Sequence, residues 1–360
     1  MTAESPILPG RLGTPRMQLK DDPRADPRML AAMAPFALGE TPPPAGVDAS
    51  SSIEELLNYV GLAEPGFEAL FGAMGTGLPP IADVTKTIEV IKGVDGNEVT
   101  LFIHRPTNRS GTLPCILHIH GGGMVMLEAA GPGYDRWRDE LAAAGLVVVG
   151  VEFRNAAGKH GPYPFPAGLN DCSSALQWIT DNKDRLGASN VVVSGESGGG
   201  NLTLATTLKA KRDGKISQIA GVYAQCPYIS NAWATKDAVL PSLYENDEYL
   251  LACSMMGGLA KTYDPSGDNA TNPLAWPYHA TTEELAGLPP HVISVNQLDP
   301  LRDEGLAYYR KLLEAGVSAV SRTVNGTCHA GDCLFRSAMP DVYLATIRDL
   351  KSFADSLWTP

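Results

Sequence analysis

No run of the sequence approaches the ~18 consecutive apolar residues that a membrane-spanning helix needs, and Met1 to Gly10 carry neither the basic nor the apolar region of a secretion signal. Both absences lead to the expectation of a cytoplasmic protein without a membrane span. Cysteine is scarce: Cys115, Cys172, Cys226, Cys253, Cys328 and Cys333 are the six in 360 residues. That density excludes a disulfide framework, and several of the six sit in apolar runs where thiols are usually buried. Basic clusters are missing as well. The formal net charge is −12 and the longest Lys/Arg cluster is Lys209–Arg212, so an electrostatic grip on nucleic acid or anionic lipid is excluded.

Glycine and proline, by contrast, are abundant at 37 and 28 residues, and twelve of the prolines fall in the first 80 positions, so the front of the chain is built differently from the rest. The length suits about two domains, or one α/β unit with an appendage. A hydrophobic share of 44% and a charged share of 19% exclude bulk disorder and supply a sizeable core.

From Val84 the pattern turns periodic. Val84–Ile91 and Glu98–His104 alternate around the turn Val94-Asp-Gly-Asn, which predicts an antiparallel hairpin at a sheet edge. Short apolar runs follow at Cys115–Ile119, Leu146–Val151, Val191–Ser194, Ile219–Ala224 and Val292–Val295. Such runs are strands of a parallel sheet covered on both faces. Helices are expected between them at Asp135–Ala144, Asn170–Arg185, Gly199–Arg212, Leu301–Ala315 and Val342–Leu357, giving an α/β body from residue 84 to 360. Two regions do not alternate. Residues 1–80 offer short helices near Arg28–Ala37, Ile53–Tyr59 and Phe67–Ala73, and residues 228–278 offer helix and loop without a strand; both are expected to form a lid over one sheet edge.

The chemistry concentrates at a few places. Gly195-Glu196-Ser197-Gly198-Gly199 stands directly after one strand and before one helix, the context in which Gly-x-Ser-x-Gly makes a sharp turn and presents a nucleophilic Ser197. His120-Gly121-Gly122-Gly123 ends the strand Cys115–Ile119, and its glycines let backbone N–H groups come close to a reacting oxygen. Gly122, Gly123 and Gly198 are therefore the candidate oxyanion hole. A base and an acid must follow in the order Ser, Asp, His. Of seven histidines only His329 follows the last strand, Ala319–Val324, and precedes the last long helix. Asp299 comes first of three carboxylates after the penultimate strand and is the candidate acid, with Asp303 as the fallback, since Asp303 and Glu304 fall in the first turn of a helix. Acyl transfer of this kind requires no metal and no cofactor. Cys328-His329-Ala-Gly-Asp332-Cys333 lacks the second ligand pair of a zinc site.

At these residues the chain resembles the hormone-sensitive-lipase-like branch of the α/β-hydrolases, the bacterial family IV esterases. The likeness extends to Tyr163-Pro-Phe-Pro-Ala-Gly-Leu-Asn-Asp171, to Gly287-Leu-Pro-Pro, and to Asp299-Pro-Leu-Arg-Asp-Glu-Gly305. Tyr263-Asp-Pro, Ala275-Trp-Pro-Tyr and Phe335-Arg336 are similar to a member that opens a macrolactone. The resemblance implies an α/β-hydrolase fold with a helical cap, a triad of Ser197, Asp299 and His329, and a small-molecule ester or lactone as substrate. Glu196 and Gly198 stand where the family usually has Asp and Ala. An amidase or peptidase with the same triad, and a non-catalytic small-ligand receptor on the same fold, stay open at this point, as does a homo-oligomer.

Overall fold

Strand β1 (Val84–Lys92) folds back on β2 (Glu98–Pro106) with Ile91 opposite Val99 and Lys92 opposite Glu98, the hairpin that the alternating pattern and the Asp-Gly turn require. The computed structural model describes residues 10–358. Residues 1–9 of the expected lid segment, and with them the reading of the N-terminus, lie outside the described residues. The remaining strands are β3 (Leu113–Ile119), β4 (Val147–Glu152), β5 (Ala188–Glu196), β6 (Gly221–Gln225), β7 (His291–Asn296) and β8 (Ala319–Val324). They form one eight-stranded sheet in the order β1-β2-β4-β3-β5-β6-β7-β8, antiparallel at β1/β2 and β2/β4 and parallel elsewhere. The fold is α/β, a mostly parallel sheet with helices on both faces, as expected.

The continuous apolar runs are explained by two cores. Ile116, Val148 and Val192 point to one face, where they meet Trp137, Leu141, Tyr343 and Leu350. Their neighbours Leu117, Val149 and Val193 point to the other, against Leu169, Leu176, Leu204 and Leu208. Period-two geometry sends successive side chains to opposite faces, so a strand covered on both sides is apolar at most positions.

The helices differ from expectation in three places. Arg28–Ala37 resolves into Pro27–Met33 and a 3-10 turn, Ala34–Phe36, closed by Ala37 at φ +54°. Asn170–Arg185 is split at Asn182 into Ala167–Asp181 and Lys183–Leu186. The two helices expected at Ile53–Tyr59 and Phe67–Ala73 are one, Ile53–Met74, with Pro65 inside it. An interior proline forfeits a hydrogen bond and crowds the preceding turn at a cost of about 3 kcal/mol. Here the helix starts on a capping box between Ser52 and Glu55, and beside the proline the buried Glu64 accepts from Leu127 N at 2.7 Å and Lys159 N at 2.8 Å. Tertiary anchoring outweighs the local penalty. Within 228–278 the helices are Ser242–Glu245 and Cys253–Tyr263, with no strand. No helix among the described residues is long and apolar enough to cross a membrane.

Candidate active site

Ser197 occupies the single position between β5 and the helix Gly198–Arg212, at φ +57° and ψ −118°. A non-glycine residue is strained there, and the surrounding packing must hold it. Ser197 N donates to Gln225 O at 2.9 Å, and Ser197 O accepts from Tyr228 N at 3.1 Å. Both flanking glycines are sterically obligatory, because a Cβ on Gly195 or Gly199 would stand 2.3 or 1.9 Å from Ile119 O. Parallel β3 and β5 thus pack elbow against strand end too closely for any side chain.

The glycine loop leaves β3 directly beside this elbow. Gly122 at φ +103° has no room for a Cβ, which would meet Met126 O at 2.1 Å, and its carbonyl accepts from Val125 N and Met126 N. Its own N–H and that of Gly123 meet no acceptor among the described residues. Gly198 closes the group, since a Cβ there would lie 2.6 Å from both Gly123 N and Met124 N. Glu196 ties loop to elbow: Oε1 accepts from Gly121 N at 2.9 Å, and Oε2 lies 3.2 Å from His118 Nε2. Burial holds the His118 imidazole below its ordinary value, so it stays neutral and donates to the carboxylate. Sequence reasoning missed this pair. The only available signals were an acid beside the nucleophile and a histidine inside a core strand.

His329 sits in the loop after β8, and its Nδ1 is 2.8 Å from Asp299 Oδ2. Asp299 is wholly buried, and its Oδ1 accepts from Leu301 N at 2.9 Å, so the carboxylate is held at both oxygens. Asp303, the fallback, is turned elsewhere, to Ser242 N at 2.7 Å and to Arg302. Glu304 lies deeper still, accepting from Ile229 N at 2.6 Å and from Ser230 Oγ, and burial pushes its carboxyl up to about 8. Other histidines have their own partners: His104 meets Asp139, His120 stacks on Phe153 with ring centroids 4.3 Å apart, and His291 meets Pro289 O. No hydrogen bond joins Ser197 Oγ to His329. Both side chains line the same cavity, and such contacts commonly tighten only in the complex with substrate.

That cavity has a volume of about 260 Å³. Phe67, Phe71, Met126, Met255, Met256 and Leu259 make much of its wall, so helix Ile53–Met74 and helix Cys253–Tyr263 both face it. Met255 and Met256 are thus at the cavity, whereas Met124 is a core residue. Cys226 presents its donor atom within 4.8 Å of Asp299 and His329, a grouping with metal-ligand chemistry, as have Glu128, Glu152 and His160. Cys328 and Cys333 take no part in the first grouping, and Cys333 Sγ instead accepts from Gln225 Nε2 at 2.7 Å. All six cysteines are free thiols.

A strained serine between strand and helix, beside a glycine loop with unused N–H groups and a buried Asp–His pair, defines a class of hydrolase site. A family model described as alpha/beta hydrolase fold matches residues 116–331, and the chain belongs to that family, in its hormone-sensitive-lipase-like branch. It is a carboxylic ester hydrolase. Among solved structures it is similar to brefeldin A esterase, described as a bacterial homologue of human hormone sensitive lipase, at 45% identity and a TM-score of 0.94 over 97% of this chain and 98% of that one. Esterase Est22 follows at 37% identity and a TM-score of 0.85, covering 94% and 99%. The carboxylesterase NlhH of Mycobacterium tuberculosis is 30% identical over 74% of this chain and 81% of its own.

Proposed function

We propose that the chain is a serine carboxylesterase acting on short-chain acyl esters or lactones through an acyl-enzyme, with Ser197 as nucleophile, His329 as base and Asp299 as its orienting acid. The observation that carries this reading is the His329–Asp299 pair, 2.8 Å apart, opening on the cavity that Ser197 lines. His329 Nε2 takes the Ser197 proton as Oγ attacks the ester carbonyl, and the N–H groups of Gly122, Gly123 and Gly198 receive the oxyanion. Collapse of the tetrahedral intermediate expels the alcohol, which leaves with the proton from His329. Water, activated by the same imidazole, then releases the acid and restores Ser197. Asp299 holds the tautomer and stabilises the imidazolium. The small, mainly apolar cavity supports short acyl groups, and the 45% identity to an esterase named for brefeldin A supports cyclic esters as well. The described part of 1–80, from residue 10 on, acts with 228–278 as the cap over this cavity in the same reading, with the described residues from 84 on as the catalytic body.

Ser197→Ala tests it. Hydrolysis of p-nitrophenyl butyrate is expected to fall at least about 10⁴-fold with thermal stability kept. Turnover within tenfold of the wild type would remove Ser197 as nucleophile.

A further inference from the structure

The wall of the cavity carries charge that the esterase reading does not use. Arg136 and Arg336 both line it. Their guanidiniums share one carboxylate oxygen: Arg136 Nη2 and Arg336 Nε each lie 2.9 Å from Glu140 Oε1. Arg136 spends its Nη1 on Pro79 O. Arg336 lies against the Tyr343 ring, 5.4 Å from its centroid, and its two terminal nitrogens donate to no described residue. Glu196, the carboxylate that does line the cavity, is committed to Gly121 N and His118. Two cations that share the one carboxylate of Glu140 leave an excess positive charge in a mainly apolar wall, in a chain whose net charge is −12.

A guanidinium with an unengaged fork in a cavity of this kind calls for a planar anion, because two parallel N–H groups match the two oxygens of a carboxylate. Arg336 stands seven residues beyond His329, across the short helix Gly331–Leu334. Both line the same cavity, so an ester bound for attack at Ser197 shares its space with Arg336.

We infer that the enzyme prefers esters bearing a free carboxylate on a flexible spacer, read by Arg336 in the wall of the cavity. The inference rests on the proposed role of Ser197 in that same cavity. The carboxylate can sit on the acyl or on the alcohol side, and the chemistry that recognises it is the same.

The test compares charged and neutral partners of matched length. Mono-p-nitrophenyl adipate is set against p-nitrophenyl hexanoate for the acyl side, and 4-(butyryloxy)butanoate against butyl butyrate, followed by pH-stat, for the alcohol side. In at least one pair kcat/KM is expected to favour the charged ester, by a ratio that shrinks with added salt. Arg336→Gln is expected to lower that ratio about tenfold, the worth of a partly solvated charge-assisted bond. A merely structural Arg336 would lower both members of a pair alike. A neutral preference in both pairs, or an unchanged ratio in Arg336→Gln, overturns the inference. Ser197→Ala separates the two failures: if it still hydrolyses these esters, the nucleophile assignment falls, and if it is inactive while the ratio is flat, only the carboxylate preference falls.

Discussion

Substituting Gly198 by alanine probes the most demanding contact of the site. The new methyl carbon would lie 2.6 Å from Gly123 N and Met124 N, whereas ordinary contact begins near 3.4 Å. The obstructing atoms are backbone, so no side chain can swing aside; about 0.8 Å of relief must come from the glycine loop moving off the elbow or from the elbow tilting. A hydrogen bond of about 2.9 Å stretched by that amount is no longer one. If Gly123 N–H stabilises the oxyanion, Gly198→Ala loses most of one donor, worth roughly 10²-fold in kcat. KM should change little, since the donor matters most after charge develops on oxygen. Alanine is a better helix former than glycine, so the helix itself gives no reason for instability. Steady-state kinetics on p-nitrophenyl butyrate, with melting curves of both proteins, read the two effects separately. A variant with kcat within threefold of wild type would refute the idea that loop and elbow are held in mutual register by the missing side chain.

Asp299→Asn should lower kcat by about 10³- to 10⁴-fold by supporting the wrong imidazole tautomer, while Asp303→Asn, whose carboxylate serves Ser242 and Arg302, should stay within a few-fold; equal losses would leave the acid unassigned. Glu304→Gln tests pH dependence. Burial raises the Glu304 carboxyl from 4.5 to about 8 in the folded chain, so protonated Glu304 suits the fold and its contribution is complete below pH 4.5 and lost as pH rises to 8. Glutamine cannot ionise, and the stability of the wild type relative to Glu304→Gln, from urea melts at pH 5.5 and 8.5, should fall with rising pH, by up to about 1.4 kcal/mol per unit within that window. A relative stability that rises instead would refute the burial argument.

Much of this was legible one segment at a time. The five apolar runs became strands because a strand buried on both faces favours apolar residues at most of its positions, as Val147, Val148 and Val149 illustrate with no exposed surface among them. Gly-x-Ser-x-Gly was legible because its neighbours in sequence, a β-run and a helical run, are also its neighbours in space. Pro65 was misread because propensity counts a local loss and cannot count Leu127 N and Lys159 N, more than 60 residues away, bonding to Glu64. The break at Asn182 was likewise invisible in a pattern that stays helical through Arg185.

The residues Ser197, Asp299 and His329 could be nominated from order and context alone, since strand, turn and helix are local and the chain order of their chemistry is conserved by the topology of the sheet. What no stretch of sequence contains is the closeness of one segment to another. Only folding brings Glu196 to Gly121 and His118, turns Asp299 rather than Asp303 toward His329, and sets Met255 and Phe71 across one cavity from Ser197. These are contacts between segments tens to hundreds of residues apart, selected by the packing of helices on both faces of a twisted sheet. They arise from the sum of many small burial terms rather than from any motif.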